Sequence, residues 1–281
     1  MLANRGNRYN WTFSNYTTPS ATPGTSVVPG ASNAEGAWTQ VATAGNIAYD
    51  VELIYIAIGG GNTTANDKSH LLDIGVDPAG GTSYTAVISN IVCGQSQAIT
   101  TGQCQFVFPL RIKAGSSVAV RVQGSNATAG TVRVVAKFYG RSSEPSERMV
   151  GSFSETIGAI TNSGGVSVTP GSTAEGAWTS LGTTTNALWW WQLGMQCSNG
   201  TITAMYLTFD LAYGDATNKV MIIENKHLGF YGTAEIAAWL YDTSMIEGFC
   251  YVPGGSNLYV RAHCSTTPVT GFNVTAIGIG G

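Results

Sequence analysis

The sequence predicts an all-β protein: two tandem, homologous antiparallel β-sandwich domains preceded by an extended N-terminal arm. Three observations carry this. The stretch Pro29-Gly30-Ala31-Ser32-Asn33-Ala34-Glu35-Gly36-Ala37-Trp38-Thr39 returns as Pro170-Gly171-Ser172-Thr173-Ala174-Glu175-Gly176-Ala177-Trp178-Thr179, with the core Ala-Glu-Gly-Ala-Trp-Thr identical and displaced by 140 residues. Apolar residues alternate at period two, the mark of half-buried strands, and no long stretch keeps a helical period. Clusters of turn formers separate these runs, with 36 glycines in 281 residues. A repeat this long is a duplicated domain rather than a solenoid unit, whose period would be about 20 to 50 residues.

The divisions expected are an arm over 1–25, a first sandwich over 26–140, a linker over 141–163 and a second sandwich over 164–281. The arm is rich in Asn, Thr, Ser and Pro, and Pro19 and Pro23 exclude helix and central strand there. Trp11, Phe13 and Tyr16 stand out within it as candidate protein-interface anchors, since interfaces favour large aromatics. Docking on another subunit and folding back onto the first domain are both open to them.

In the first domain, Ile47 to Ile58 reads as a long strand with Tyr49, Val51, Leu53 and Tyr55 on one face and Asp50 and Glu52 beginning the other. Leu71 to Val76 follows and closes on Asp77-Pro78-Ala79-Gly80-Gly81; then come Tyr84 to Val92 and Phe106 to Ile112. Val118, Val120 and Val122 alternate with Ala119, Arg121 and Gln123, and Val132, Val134, Ala136 and Phe138 with Arg133, Val135, Lys137 and Tyr139. Many short strands between Gly-rich turns imply a sandwich or barrel. The linker concentrates charge and turn formers in Arg141-Ser142-Ser143-Glu144-Pro145-Ser146-Glu147-Arg148.

The second domain repeats the plan. Trp189, Trp191, Leu193, Met195 and Cys197 align with Tyr49, Val51, Leu53, Tyr55 and Ala57 at the same displacement of 140, as do Gly255 to Arg261 with Gly115 to Arg121 and Gly280 with Gly140. Asp210 lies near the position of Asp73. On this alignment Trp190 stands where the first copy has Asp50, which makes Trp190 a candidate interdomain or intersubunit contact; burial on a two-sided strand is the alternative. Thr233 to Asp242 is the one plausible helical piece, one or two turns in a loop.

Composition bounds the function. Charged residues are 10% of the chain, against about 25% in a typical soluble domain, and 43% hydrophobic content excludes a disordered chain. A weakly charged polar surface suits packing against other protein, because few charges must be desolvated; a plain secreted sandwich is the other reading. A net charge of −3 without a basic run speaks against a nucleic-acid partner. No run approaches the ~18 apolar residues of a membrane span, and Met1-Leu2-Ala3-Asn4-Arg5 lacks the apolar stretch of a signal peptide. The expectation is assembly in the cytoplasm, with no membrane partner. The five cysteines, Cys93, Cys104, Cys197, Cys250 and Cys264, are odd in number and not closely paired. Free thiols are therefore expected, with Cys197 and Cys264 in phase with core residues.

No constellation for catalysis, cofactor or metal emerges. His70 in a loop, His227 in a turn and His263 pointing outward on a strand make no triad, and no Gly-x-Ser-x-Gly elbow is present. Cys-x-x-Cys, His-Glu-x-x-His and Asp-x-Asp-x-Asp-Gly are absent. The repeated Glu35-Gly36…Trp38 and Glu175-Gly176…Trp178 read as structural: the carboxylate would accept N–H bonds of the tight turn at Gly36 or Gly176, and the Trp would begin the first core strand.

The Pro-Gly…Ala-x-Gly-x-Trp-Thr opening, the Leu71-Leu72-Asp73-Ile74-Gly75 strand, and the Val252-Pro253-Gly254-Gly255-Ser256 approach to a late strand (Ile112 to Ser116 in the first copy) resemble β-sandwich proteins encoded by tailed bacteriophages. The resemblance covers both domains but not the arm. It implies jelly-roll-like sandwiches and a virion structural role, with other virion proteins, above all a major capsid protein, as partners, and a homo-oligomer as the state. A capsid decoration (cement) protein bridging capsomers is the leading expectation. A tail, collar or receptor-binding component reading host glycans is the alternative, and a double-jelly-roll major capsid protein a second one. An enzyme is not expected.

Overall fold

The computed structural model describes residues 9–16, 24–60, 70–93, 104–125, 131–142, 150–162, 164–197, 205–230, 250–265 and 272–281. These residues form antiparallel sheets, joined with a single short 3-10 turn at Ala44–Asn46 among them. The all-β class is as expected. The anticipated helix over Thr233 to Asp242 lies outside the described residues.

One sheet of the first half runs β1 (Trp11–Ser14), β9 (Val132–Gly140), β4 (Val51–Gly60), β7 (Cys104–Phe108), with β2 (Thr25–Val27) also on β9. The other runs β3 (Thr39–Ala42), β8 (Ser117–Gly124), β5 (His70–Asp77), β6 (Thr85–Val92). Between them, Ile54, Ile56 and Phe138 from the first sheet and Leu72, Ile74, Val120 and Val122 from the second are fully or almost fully buried in one cluster. The alternation of β8 and β9 puts every second residue into that core, as the sequence leads one to expect.

The second half repeats both sheets. β10 (Phe153–Ile157), β17 (Phe272–Gly280), β11 (Val166–Val168) and β13 (Trp190–Cys197) form one, with β17 at its centre. β12 (Thr179–Thr183), β16 (Asn257–Cys264), β14 (Met205–Gly214) and β15 (Lys219–Phe230) form the other. Its core holds Trp191, Leu193, Met195, Phe209, Leu211, Val260, Phe272 and Val274. The turns that lead into β8 and β16 match in detail: Gly115 has φ 78° and Gly255 φ 80°, and an added Cβ would meet nothing at either. Glycine is there for its left-handed backbone and not for space.

The repeat unit is larger than the sequence suggests. β1 pairs with β9 so that Trp11 faces Gly140, as β10 pairs with β17 so that Phe153 faces Gly280. Val27 faces Val132 as Val168 faces Phe272. The stretch read as an arm thus supplies the first strand of sandwich one and the first residue of the second, and the later part of the stretch read as a linker supplies the first strand of sandwich two. Each sits along β9 or β17, whose backbone groups on that side need partners. Strands of four and five residues carry too few alternating positions to stand out in a sequence: β1 offers only Trp11 and Phe13 on one face, and β10 only Phe153, Glu155 and Ile157.

The alignment of β4 with β13 also shifts. Ile54 faces Phe138 and Trp191 faces Gly278, so Ile54 corresponds to Trp191, 137 residues apart, not 140. An irregularity between Val51 and Leu53 sets the phase. Ile54, Ile56 and Ile58 therefore face the core, while Leu53 and Tyr55, expected on the apolar face, are half-exposed. A shift of three residues exchanges the two faces of a strand.

Candidate functional site: the repeated arginine cluster and the interdomain seam

Two features carry side-chain chemistry, and the first occurs twice. Asp73 on β5 stands opposite Arg121 on β8, and Asp210 on β14 opposite Arg261 on β16. The pairs lie on the outer faces of their sheets, because their neighbours Leu72, Ile74, Val120 and Val122 point inward. Arg121 donates from Nε to Asp73 Oδ2 at 2.9 Å, and Arg261 from Nε to Asp210 Oδ2 at 2.7 Å. The other carboxylate oxygen is also taken: Asn90 N–H donates to Asp73 Oδ1 at 2.8 Å and Asn225 N–H to Asp210 Oδ1 at 2.6 Å. Both asparagines have a left-handed backbone, φ 59° and 50°, a conformation that asparagine tolerates better than most side chains. The ladder slips beside each of them, and the aspartate takes up the amide that the slip frees.

The tryptophan of the repeated motif closes the cluster. The Arg121 guanidinium lies 4.4 Å from the Trp38 ring centroid, and that of Arg261 4.6 Å from Trp178, within range of a cation–π contact. Glu35 reaches the same guanidinium, Arg121 Nη1 to Glu35 Oε2 at 2.5 Å; Glu175 stands further off, 3.9 Å from Arg261 Nε. Burial raises the Glu35 pKa, the charge of Asp73 adds to that, and Arg121 opposes it.

Two readings of the motif are corrected here. Glu35 and Glu175 meet an arginine rather than the turn amides, because the turn amides already have backbone acceptors: Gly36 N–H donates to Val122 O and Gly176 N–H to Ala262 O, each at 2.9 Å. Trp38 and Trp178 precede β3 and β12 and lie half-buried over the guanidinium instead of entering the core. Each aspartate oxygen accepts a hydrogen bond from within the cluster. The arrangement ties the motif's turn to the middle of a sheet.

The histidines take other places than expected. His70 is buried at the start of β5, and His227 lies within β15 opposite Thr208; His263, half-buried on β16, points away from the core as read. Cys93 and Cys264 are buried free thiols, and Cys250 is a half-buried one whose pKa is raised by burial. The described residues contain no group of three or more His, Cys, Asp or Glu placed to hold a metal ion.

The second feature is the seam between the sandwiches. Trp190, Ile277 and Ile279 project from the outer face of the β10–β17–β13 sheet and are 5%, 0% and 0% exposed, because that face lies against the first sandwich and shares its cluster. Ser154 Oγ donates to Val87 O at 2.7 Å and Thr156 Oγ1 to Ser89 O, both acceptors on edge strand β6. Val107 N–H donates to Gln192 Oε1 at 3.2 Å. Gly194 lets the halves approach closely: a Cβ there would stand 3.0 Å from Val92 Cβ of the first sandwich and 2.6 Å from Thr275 Oγ1 of its own. Trp190 thus lies at an interdomain position, but its counterpart is Leu53 rather than Asp50, by the shift of three described above.

Of the arm aromatics, Trp11 and Phe13 pack half-buried against the first core. Trp11 meets Tyr49 edge-on at 6.1 Å, and Phe13 stacks on Phe138 at 6.2 Å. Tyr16 follows β1, its N–H donating to Ser14 Oγ at 3.2 Å. Of the two placements open to them, the structure shows Trp11 and Phe13 folded back onto the chain's own first sandwich. Sequence reasoning missed Asp73 and Asn90 with their counterparts as parts of one cluster. Arg121 and Arg261 were visible in the repeat, but Asn90 and Asn225 share only an Ile-x-Asn context.

No family model and no curated protein sequence matches this chain. Among solved structures, PNGF-II aligns over 96% of this chain at 8% identity and TM-score 0.36. This chain spans 64% of the PNGF-II chain. The N-terminal CBM22 tandem domain of Paenibacillus barcinonensis Xyn10C aligns over 93% of this chain and 99% of its own, at 10% identity and TM-score 0.28. A chain of the Cowpea mosaic virus top component, the naturally occurring empty particle, aligns over 91% and 92%, at 11% identity and TM-score 0.30. At these values none of the three assigns this chain a family or a role.

Proposed function

We propose that this protein is a structural component of a tailed-phage virion, and most specifically a capsid decoration protein that bridges neighbouring capsomers. The observation that carries the reading is the seam: two copies of one sandwich are joined face to edge through buried Trp190, Ile277 and Ile279. A chain whose two related sandwiches share a buried seam presents two related surfaces suited to spanning two neighbouring subunits. The 10% charged composition supports the same role, since a large protein contact then desolvates few charges. The repeated cluster fits it as well, being committed to holding the sandwich together. The phage-like sequence motifs give the reading its biological setting.

A second reading, a tail or collar component that binds host glycans, draws on Tyr251, which is 62% exposed ahead of β16. Aromatic faces of this kind suit sugar rings. Cryo-electron microscopy of the assembled particle separates the two. Many copies in regular array on the shell are expected. Copies confined to the tail would overturn the decoration role and favour the glycan reading, and absence from the particle would overturn both.

A further inference from the structure

The seam inside the chain has an unused counterpart, and we propose that it is filled by a second copy of the same chain. The contact would be head-to-tail, with the outer face of sandwich one in one copy against strand β15 of sandwich two in the next. The proposal rests on the duplicated interface and not on the virion reading.

Each half of the internal seam exists twice. On the face side, β10 and β1 occupy the same place, so Ser154 and Thr156 correspond to Thr12 and Ser14. Hydroxyls recur at both positions, although the residue between them is Glu155 in one copy and Phe13 in the other. Trp190, Ile277 and Ile279 correspond to Leu53, Lys137 and Tyr139, all half-exposed in the single chain.

On the edge side, β6 and β15 correspond through the kinked Asn90 and Asn225, each tied to its aspartate. Val87 and Ser89, whose carbonyls accept the seam hydroxyls, correspond to Ile222 and Glu224. Along β15, Val220 and Glu224 are exposed, and no strand other than β14 pairs with it among the described residues. A partly apolar sheet edge that no strand pairs with among the described residues is a surface of the kind that proteins normally cover.

The substitutions between the copies are complementary. In the internal seam Thr156, beside Ile277, donates to the carbonyl of Ser89. In the second contact the same places hold Ser14, Lys137 and Glu224. A lysine replaces the isoleucine and a glutamate replaces the serine, one on each side of the joint. The two changes set opposite charges together and give the contact a polar, reversible character suited to separate chains. Because one face meets a different surface, the association is heterologous and continues into a ring or an open row rather than stopping at a two-fold dimer.

Sedimentation velocity of the full chain over a concentration series tests this. The wild type is expected to associate beyond a dimer. Lys137→Glu and Glu224→Lys, both at exposed or half-exposed positions, should each weaken association about tenfold, and the double charge swap should restore it. Recovery in the double variant also shows that the single variants had folded. A wild type that stays monomeric or stops at a dimer, single variants that associate like wild type, or a double variant that fails to recover would each overturn the proposal. A monomeric result leaves the location of the protein on a particle to be decided separately.

Discussion

Asp210 is 1% exposed, and its two oxygens hold Arg261 and the amide of Asn225. Removing it leaves a guanidinium without its main partner and an amide without its acceptor. Arg261 keeps some access to water, which moderates the loss. Asp210→Ala should therefore cost about 2–3 kcal/mol, read as a lower urea midpoint at unchanged slope. Glu35 makes the informative contrast. Its side chain is 41% exposed, and burial together with the charge of Asp73 already disfavours its ionised form. Glu35→Gln should change stability by less than about 1 kcal/mol. Equal losses for the two variants would contradict the assignment of Asp as the anchor and Glu as the outer partner.

Strand β1 shows what a short element can do at an edge. It covers part of β9 and lays Trp11 and Phe13 against Tyr49 and Phe138. The double variant Trp11→Ala/Phe13→Ala should lower the stability of sandwich one by about 3 kcal/mol, seen as a drop in melting temperature of the isolated protein. An unchanged melting temperature would return these aromatics to the role of anchors on another molecule. Their place in the fold also explains why a deletion of residues 1–25 is a poor probe of partner binding, since it removes β1 and the first residue of β2 from the first sandwich.

The whole molecule depends on the seam. Because Trp190, Ile277 and Ile279 share a cluster with the first core, the two halves should unfold together in one calorimetric transition. Gly194→Val places a side chain against Val92 across the seam and against Thr275 beside it. It should cost about 1–3 kcal/mol and split the transition in two. Two transitions in the wild type would show that the seam does not couple the halves.

The sequence by itself determined the all-β class, the duplication and most of the long strands, because alternation and turn chemistry are local and β8 and β9 display both plainly. It also marked the repeated Glu, Trp and Arg positions, although not what they do. Only the tertiary structure decided that β1 and β10 belong to the sandwiches, since a strand of four or five residues is recognised by the ladder it completes. The same holds for the phase of β4, where a local irregularity at Val51 exchanged the faces. The Asp–Arg–Trp cluster gathers side chains from segments far apart in the chain. The partner of Trp190 is decided in the same way, by which surface of one sandwich meets which edge of the other, and no local pattern records that choice.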